Sequence, residues 1–406
     1  MQTLAFPKPV NVVGVGYIGL PTALMLAARG LDVVGSDIDV EKVNKLNAGS
    51  VTFEEHGLQE LFAEAKGRVR FAAETIATDL YIVAVPTPFD GVTKKINAEF
   101  VLNAVEGILS VCDERAVVCI ESTISPGTVD RILRPSVAKS GKQIGLAHAP
   151  ERVVPGNMIH ELVHNSRTLG TDDAETAQRL SALYRLFCQG EIVVTDIKTA
   201  ELSKVVENTY RDINIAFANE LSRICHRENV DVRQLIEIAN RHPRVGILSP
   251  GPGVGGHCIA VDPWFLVGDH PDLAGVVRAA RETNDSQPKY VVGRLLEILE
   301  ERGMDVSRVG LYGLTYKPDV DDTRGSPGLQ ILELMREKGQ VCSFDPHVAP
   351  GLANGQAESI RDFLQSVDLV VVLMAHSQIK GNRGLLEGKI VFDTCNALGG
   401  AADYNL

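Results

Sequence analysis

Residues 10–21 read Val10-Asn11-Val12-Val13-Gly14-Val15-Gly16-Tyr17-Ile18-Gly19-Leu20-Pro21: a short apolar strand, a glycine turn and the start of a helix that runs to about residue 29. In this setting Gly-x-Gly-x-x-Gly is a dinucleotide fingerprint. Gly14 permits the tight turn, Gly16 lets a pyrophosphate approach the backbone, and Gly19 lets helix and strand pack closely. Tyr17 and Ile18 lie in the same turn, where the free amides of the helix N-terminus face the anion. The next strand, 31–37, ends on Asp37, 23 residues after Gly14. An acid there accepts hydrogen bonds from an adenosine ribose and would repel a 2′-phosphate, so NAD is expected over NADP.

The pattern continues outward. Residues 80–85 and 116–120 are near-continuous apolar runs, as in parallel strands buried on both faces. They end in Pro86-Thr87-Pro88 and in Glu121-Ser122-Thr123-Ile124-Ser125-Pro126-Gly127-Thr128. Ligands of open α/β sheets bind outside the carboxyl edge, so Thr87, Thr123 and Ser125 are candidates to touch cofactor or substrate. For Ser125 and Thr128 the alternative is capping of the next helix. Residues 147–157 read as another proline-rich loop, 168–170 and 192–194 as closing strands. From Thr199 the apolar positions Leu202, Val205, Val206, Ile213, Ala216 and Phe217 recur at helical spacing, with no proline or glycine before Pro243. So long a helix cannot bury its stripe alone, which predicts a joint between domains and a subunit interface, most simply a dimer. A second helix is expected over 274–302. A new strand–loop–strand pattern follows at 309–313, 341–344, 369–373 and 390–392. The expected fold is α/β: two Rossmann-like doubly wound domains, 1–197 and 303–406, joined by a central helical domain, 198–302, that contains the long helix.

Composition bounds the function. A chain of 406 residues with 45% hydrophobic and 23% charged residues is an ordinary globular one, and a net charge of −12 disfavours nucleic acid and anionic membranes as partners. No apolar run reaches membrane-spanning length and residues 1–9 do not read as a signal peptide, so a cytoplasmic protein is expected. Seven scattered cysteines without a Cys-x-x-Cys pair predict neither a disulfide framework nor a metal site. One of them stands apart, in Gly253-Val254-Gly255-Gly256-His257-Cys258-Ile259-Ala260-Val261-Asp262-Pro263. Glycines that reach φ > 0 and let amides approach a ligand suit a loop that presents a nucleophile. A buried, inert cysteine flanked by turn glycines is the alternative reading. Beside a nicotinamide signature, the loop points to hydride loss followed by covalent capture of the product on sulfur.

Six motifs now stand in order: Gly14-x-Gly16-x-x-Gly19, Val85-Pro86-Thr87-Pro88, Glu121-Ser122-Thr123, Lys204-x-x-x-Asn208, Gly255-Gly256-His257-Cys258 with Asp262, and Lys317-Pro318-Asp319-Val320-Asp321-Asp322-Thr323-Arg324. Over essentially its whole length the chain resembles the nucleotide-sugar 6-dehydrogenases, the family of UDP-glucose, GDP-mannose and UDP-N-acetylmannosamine dehydrogenases. The resemblance implies two successive hydride transfers from the sugar C6 to NAD, with Cys258 as the nucleophile that traps the aldehyde. It makes Lys204 and Asn208 the pair that holds the oxyanion or an ordered water, and Asp262 the group that positions water or accepts its proton. Glu151 and Thr123 would assist thioester hydrolysis. Lys317 and Arg324 would lie near diphosphates, Arg324 on the cofactor side, while Arg244 would reach a neighbouring subunit's site. Substrate contacts are expected from Glu151, Arg152, Gly255 and His257. The loop Pro-Glu-Arg-Val-Val-Pro-Gly replaces the Pro-Glu-Phe-Leu usual in UDP-glucose enzymes, His257 replaces a serine, and Ala260 to Phe265 are similar to the N-acetylhexosamine branch. UDP-N-acetylmannosamine is therefore the first expectation, with UDP-N-acetylglucosamine or UDP-glucose behind it. The competing readings are a single-step 3-hydroxy acid dehydrogenase, a nucleotide-sugar sensor without turnover and, for residues 317–324 alone, a solvated ion-pair cluster.

Overall fold

The computed structural model describes residues 6–91, 93–154 and 156–406. The beginning of the N-terminal stretch and Pro155 of the proline-rich loop lie outside the described residues. The chain divides into two compact units, 1–206 and 207–406.

In the first unit the strands are β1 (Val10–Val13), β2 (Val33–Ser36), β3 (Val69–Ala72), β4 (Leu80–Val83), a small hairpin of β5 (Phe89–Asp90) and β6 (Lys95–Ile96), β7 (Val117–Ile120), β8 (Gly145–His148), β9 (Arg167–Thr171) and β10 (Ile192–Thr195). Eight of them form one sheet in the order β10-β9-β8-β7-β4-β1-β2-β3. Every neighbour pair is parallel except β8 with β9. β1, β4 and β7 are buried along their whole length, as unbroken apolar runs require when helices cover both faces. Two elements depart from expectation. Ala147 and His148, read as loop, close β8, and β3 sits at the sheet edge with a mixed burial pattern that no apolar run announces.

The long helix Ile197–Glu228 spans 32 residues and crosses from one unit into the other. In the second unit come helices Val232–Asn240, Asp262–Asp269 and Gly275–Arg302. The five-stranded parallel sheet runs β12 (Cys342–Phe344), β11 (Val309–Tyr312), β13 (Leu369–Val372), β14 (Ile390–Asp393), β15 (Tyr404–Asn405). β15 is only two residues long and carries no sequence signal. The contact between the long helix and Gly275–Arg302 is polar. Arg281 pairs with Asp212 at 2.5 Å, Asn219 donates to Asn284 at 2.9 Å, and Arg223 donates to Gln287. The apolar stripe predicted for the long helix is divided: Val205 and Ala216 are buried and Ile213 is half-buried, whereas Leu202, Val206 and Phe217 are exposed, as are Tyr210 and Ile224, which lie outside the predicted positions.

Candidate active site

The glycine turn separates three roles by what a Cβ would meet. Gly14 has φ +90° and a Cβ there would stand 2.6 Å from the Ala84 carbonyl oxygen; at Gly19 it would stand 1.8 Å from that of Gly14. At Gly16 nothing lies within 4 Å. The first and third glycines are thus demanded by the fold, while the second keeps a space open. The helix Gly19–Ala28 starts without a side-chain cap; in its first turn the Leu20 and Thr22 N–H groups go to the Gly16 and Ile18 carbonyls and Pro21 has none, so it is the turn that opens the helix that faces an anion. Asp37, just past β2, accepts the Val15 N–H at 3.1 Å, the Asp39 N–H at 3.0 Å and the Lys42 ammonium at 3.0 Å. A carboxylate has about four acceptor positions, so one remains for a ribose hydroxyl. Lys42 is a partner the sequence reading missed. Tyr17 packs against Phe53 with ring centroids 4.3 Å apart and the rings tilted by 30°.

At the carboxyl edge of the same sheet Thr87 and Thr123 are half-buried and Ser125 is buried. The capping alternative for Thr128 is not realised: its hydroxyl donates to the Ser125 carbonyl at 2.6 Å. Glu201, on the long helix, takes that part instead and accepts the N–H groups of Gly127 and Val129. Glu151 is held in a buried ion pair by Arg167, which also donates to Glu121 at 2.9 Å. Burial works against the Arg167 charge, but Glu151 and Glu121 outweigh it and hold the guanidinium protonated. Burial pushes the Glu121 carboxyl up, with Arg167 opposing. Arg152, expected on the substrate side, turns its guanidinium onto the Ser166 hydroxyl at 3.2 Å and the Thr168 hydroxyl at 2.7 Å. Neither Glu121 nor Arg167 was given a role, although Glu121 opens the motif Glu121-Ser122-Thr123.

In the second unit Cys258 is half-buried. Its carbonyl accepts the N–H groups of Val261 at 2.9 Å and Asp262 at 2.8 Å, so the cysteine lies one turn ahead of the helix Asp262–Asp269. The Asp262 carboxylate is buried and accepts the Asn208 amide at 2.6 Å. Residues 54 positions apart in sequence, chosen for related roles, are thus joined directly. Lys204 stands one helical turn before Asn208 and is half-buried. Burial raises the thiols of Cys112, Cys119 and Cys225, Cys119 to about 12 with the nearby Glu121 charge adding to it, which leaves them inert.

The loop glycines have a packing reason beside the one expected. A Cβ at Gly255 would stand 2.7 Å from Tyr316 Cβ and 2.9 Å from the Gly325 carbonyl oxygen, and one at Gly256 (φ +83°) 2.8 Å from the Tyr316 ring. The Gly256 N–H donates to the Arg324 carbonyl at 3.0 Å. The glycines therefore let the cysteine loop lie flat on the segment 316–325, so two motifs that read separately form one body. Within that segment Arg324 grips Asp322 through two guanidinium nitrogens. For this pair the ion-pair alternative holds. Burial opposes the Asp322 charge, but the Arg324 hydrogen bonds outweigh it and lower its pKa, with His257 contributing. Lys317 is half-buried, while His257 and Arg244 are exposed. Asp319, His347 and His376 lie close enough to share a cation. However, His376 Nδ1 accepts the Asp319 N–H at 3.0 Å and its Nε2 lies 3.1 Å from the Asp345 carboxylate, so both ring nitrogens are engaged.

Three models of one family cover the chain: its NAD binding domain matches residues 8–188, its central domain 198–286 and its UDP binding domain 310–400. The chain belongs to the UDP-glucose/GDP-mannose dehydrogenase family. The UDP-N-acetyl-D-mannosamine dehydrogenase of Methanococcus maripaludis is 42% identical, over 96% of this chain and 93% of the relative. An enzyme of Ralstonia nicotianae described as NDP-N-acetyl-D-galactosaminuronic acid dehydrogenase is 40% identical, over 95% of each. The solved UDP-N-acetyl-mannosamine dehydrogenase of Staphylococcus aureus superposes with a TM-score of 0.88 at 39% identity, covering 98% of each chain. As a member of this dehydrogenase family the protein uses NAD, and the open space at Gly16, the uncapped helix and the spare acceptor on Asp37 fit that cofactor. No helix among the described residues is long and apolar enough to cross a membrane.

Proposed function

We propose that the protein oxidises the C6 alcohol of a UDP-N-acetylhexosamine, UDP-N-acetylmannosamine first among them, to the uronate with two equivalents of NAD. The observation that carries this reading is the joining of Cys258, Asp262 and Asn208: Asp262 donates its N–H to the cysteine carbonyl and accepts the asparagine amide. NAD, when bound, accepts the C6 hydride in each oxidation. Residues 1–197 hold it, through Gly14, Gly16, Tyr17, Ile18, Gly19, Asp37, Thr87 and Thr123, with Arg324 contributing once Asp322 yields its grip. Residues 303–406 hold the nucleotide with Lys317, and the central part, 198–302, carries the chemistry.

Lys204 holds the oxygen of the alcohol while its hydroxyl proton passes to a water and the C6 hydride leaves, giving the aldehyde. The Cys258 thiolate then adds to that carbon and forms the C–S bond; loss of the second hydride leaves a thioester. Water adds to it, Asp262 takes the proton, the C–S bond breaks, and carboxylate and free sulfur result. Asn208, fixed by Asp262, steadies the oxyanion; removing such a donor typically costs ~3 kcal/mol, roughly a hundredfold in rate. Glu151 and Thr123 assist the hydrolysis. His257, exposed beside the thiol, reads the acetamido group, with Gly255 and Arg152 on the substrate side. The exposed stripe of Leu202, Val206, Tyr210, Phe217 and Ile224 is covered by a second copy in a dimer, in which Arg244 serves the neighbouring site. The reaction runs in the cytoplasm.

Incubation of a panel of UDP-sugars with NAD, with NADH counted and uronates detected by mass, tests the reading. Two NADH per sugar, fastest with UDP-N-acetylmannosamine, is the expected outcome. One NADH per substrate, as in a single-step hydroxy acid dehydrogenase, or recovery of intact sugar overturns it, and preference for the gluco or galacto epimer overturns the choice of sugar alone.

A further inference from the structure

We propose that Arg167 is the positioning residue that fixes Glu151 for thioester hydrolysis, an inference that rests on the role given to Glu151 above. Arg167 opens β9 and its side chain is 4% exposed. One arm holds Glu121 at 2.9 Å and the other holds the Oε2 of Glu151. Its guanidinium carbon stands over the Tyr184 ring, 4.1 Å from the centroid.

The two carboxylates are treated differently. Glu121 has three of its positions filled: besides Arg167 it accepts the Tyr184 hydroxyl at 2.9 Å and the Thr22 hydroxyl at 3.1 Å. It anchors the arginine to the fingerprint helix and to the strand that leads into Thr123. Glu151 accepts from Arg167 on one oxygen and from the Arg152 N–H, at 2.8 Å, on the other. With about four acceptor positions on a carboxylate, each oxygen of Glu151 keeps one. A group so held points its remaining lone pairs in a fixed direction, which suits it to orient a water and not to donate a proton. Stability does not account for the arrangement. Two buried acids on one base leave a net negative charge out of water, and buried ion clusters of this kind are commonly replaceable by apolar groups without loss.

The test compares Arg167→Met, Arg167→Lys, Glu121→Gln and Glu151→Gln in the full-length protein. It uses rapid-mixing measurement of NADH with UDP-N-acetylmannosamine and intact-mass detection of the sugar acyl group on Cys258. Arg167→Met is expected to keep the first-turnover burst of two NADH and the KM for sugar. Its steady-state turnover falls roughly ten- to a hundredfold, with the acyl adduct accumulating. Arg167→Lys recovers part of the rate, because an ammonium restores the charge but reaches only one carboxylate. Glu121→Gln stays near the parent. Parent-like turnover in Arg167→Met overturns the proposal, as does equal loss of burst and turnover in Arg167→Met and Glu121→Gln, which marks a purely structural cluster. If Arg167→Met does not fold, the decision passes to Arg167→Lys, where an accumulating adduct supports the proposal and none overturns it. Parent-rate hydrolysis in Glu151→Gln removes the underlying role of Glu151, whereas slow hydrolysis there with an unaffected Arg167→Met removes Arg167 alone.

Discussion

The two sheets begin with the same device and put it to opposite uses. In the first, Gly14 ends β1, the helix opens at Gly19 against the Gly14 carbonyl, and Asp37 after β2 accepts the Val15 N–H. In the second, Gly313 ends β11 with φ +97°, Gly328 lies against the Gly313 carbonyl, and Asp345 after β12 accepts the Leu314 N–H at 2.6 Å. What differs is whether the site is left open. The first helix has no side-chain cap, whereas Ser326 accepts the Gly328 and Leu329 N–H groups at the second. Asp37 keeps an acceptor position, whereas Asp345 is taken up by Leu314, Thr315, His347 and His376. The second unit has filled the dinucleotide position from its own chain, and the turn, lengthened between Gly313 and Gly328, serves as the bed for the cysteine loop.

The comparison breaks first at the sulfur. Cys258→Ala removes the group for which the lengthened turn is the support, and nothing from either sheet. Uronate formation should fall by about a thousandfold or more, while NAD and UDP-sugar still bind, as read by mass detection of product and by calorimetry. Uronate at the parent rate would mean that the long turn supports something else. Next in size are the glycines. Gly19→Ala and Gly328→Ala both drive a Cβ into a carbonyl oxygen, at 1.8 Å and 2.5 Å, so both should lose stability in urea unfolding, by about 2–4 kcal/mol for Gly19→Ala and less for Gly328→Ala. Gly16→Ala has open space around it and should unfold within about 0.5 kcal/mol of the parent while NAD affinity drops. Equal damage from all three would erase the distinction between a glycine required by packing and one kept for a ligand.

The contrast also explains what the sequence could disclose. A short strand, three closely spaced glycines and a terminal acid are local, so the geometry of the first turn was legible from the sequence, with Gly14 and Gly19 packed and Gly16 open. The second copy was not, because 15 positions separate Gly313 from Gly328 and spacing is all that a motif offers. Asn208 and Asp262 were each chosen for chemistry, but their hydrogen bond is a tertiary event. Arg167 was missed for the same reason: in sequence it is one basic residue opening a strand, and only folding places it between Glu121 and Glu151. The positive φ of Gly256 was foreseen, but its packing on Tyr316 was not, because that contact is tertiary.

A smaller effect separates the two acids. Asp37→Ala should weaken NAD roughly ten- to a hundredfold, the size of a hydrogen bond to a charged group, with sugar affinity unchanged in titration calorimetry. Asp345→Asn should leave NAD affinity untouched. An NAD defect in both would show that the second acid is not sequestered after all.

Acid stability gives the finest test. Burial pushes Asp345 up, but the hydrogen bond and charge of His376 and the N–H groups of His347 and Leu314 outweigh it, so its folded pKa lies below the ordinary value. A carboxyl shifted downward on folding adds stability that is complete above its unfolded pKa, about 3.9, and that disappears as pH falls through the folded value. Denaturant midpoints between pH 7 and about pH 3 should therefore show a steeper acid decline in the parent than in Asp345→Asn, whose loss is constant across the range because an amide does not titrate. Parallel curves for the two proteins would mean that the acid of the second sheet is not held by its neighbours, and the picture of a dinucleotide position filled from within would lose its main support.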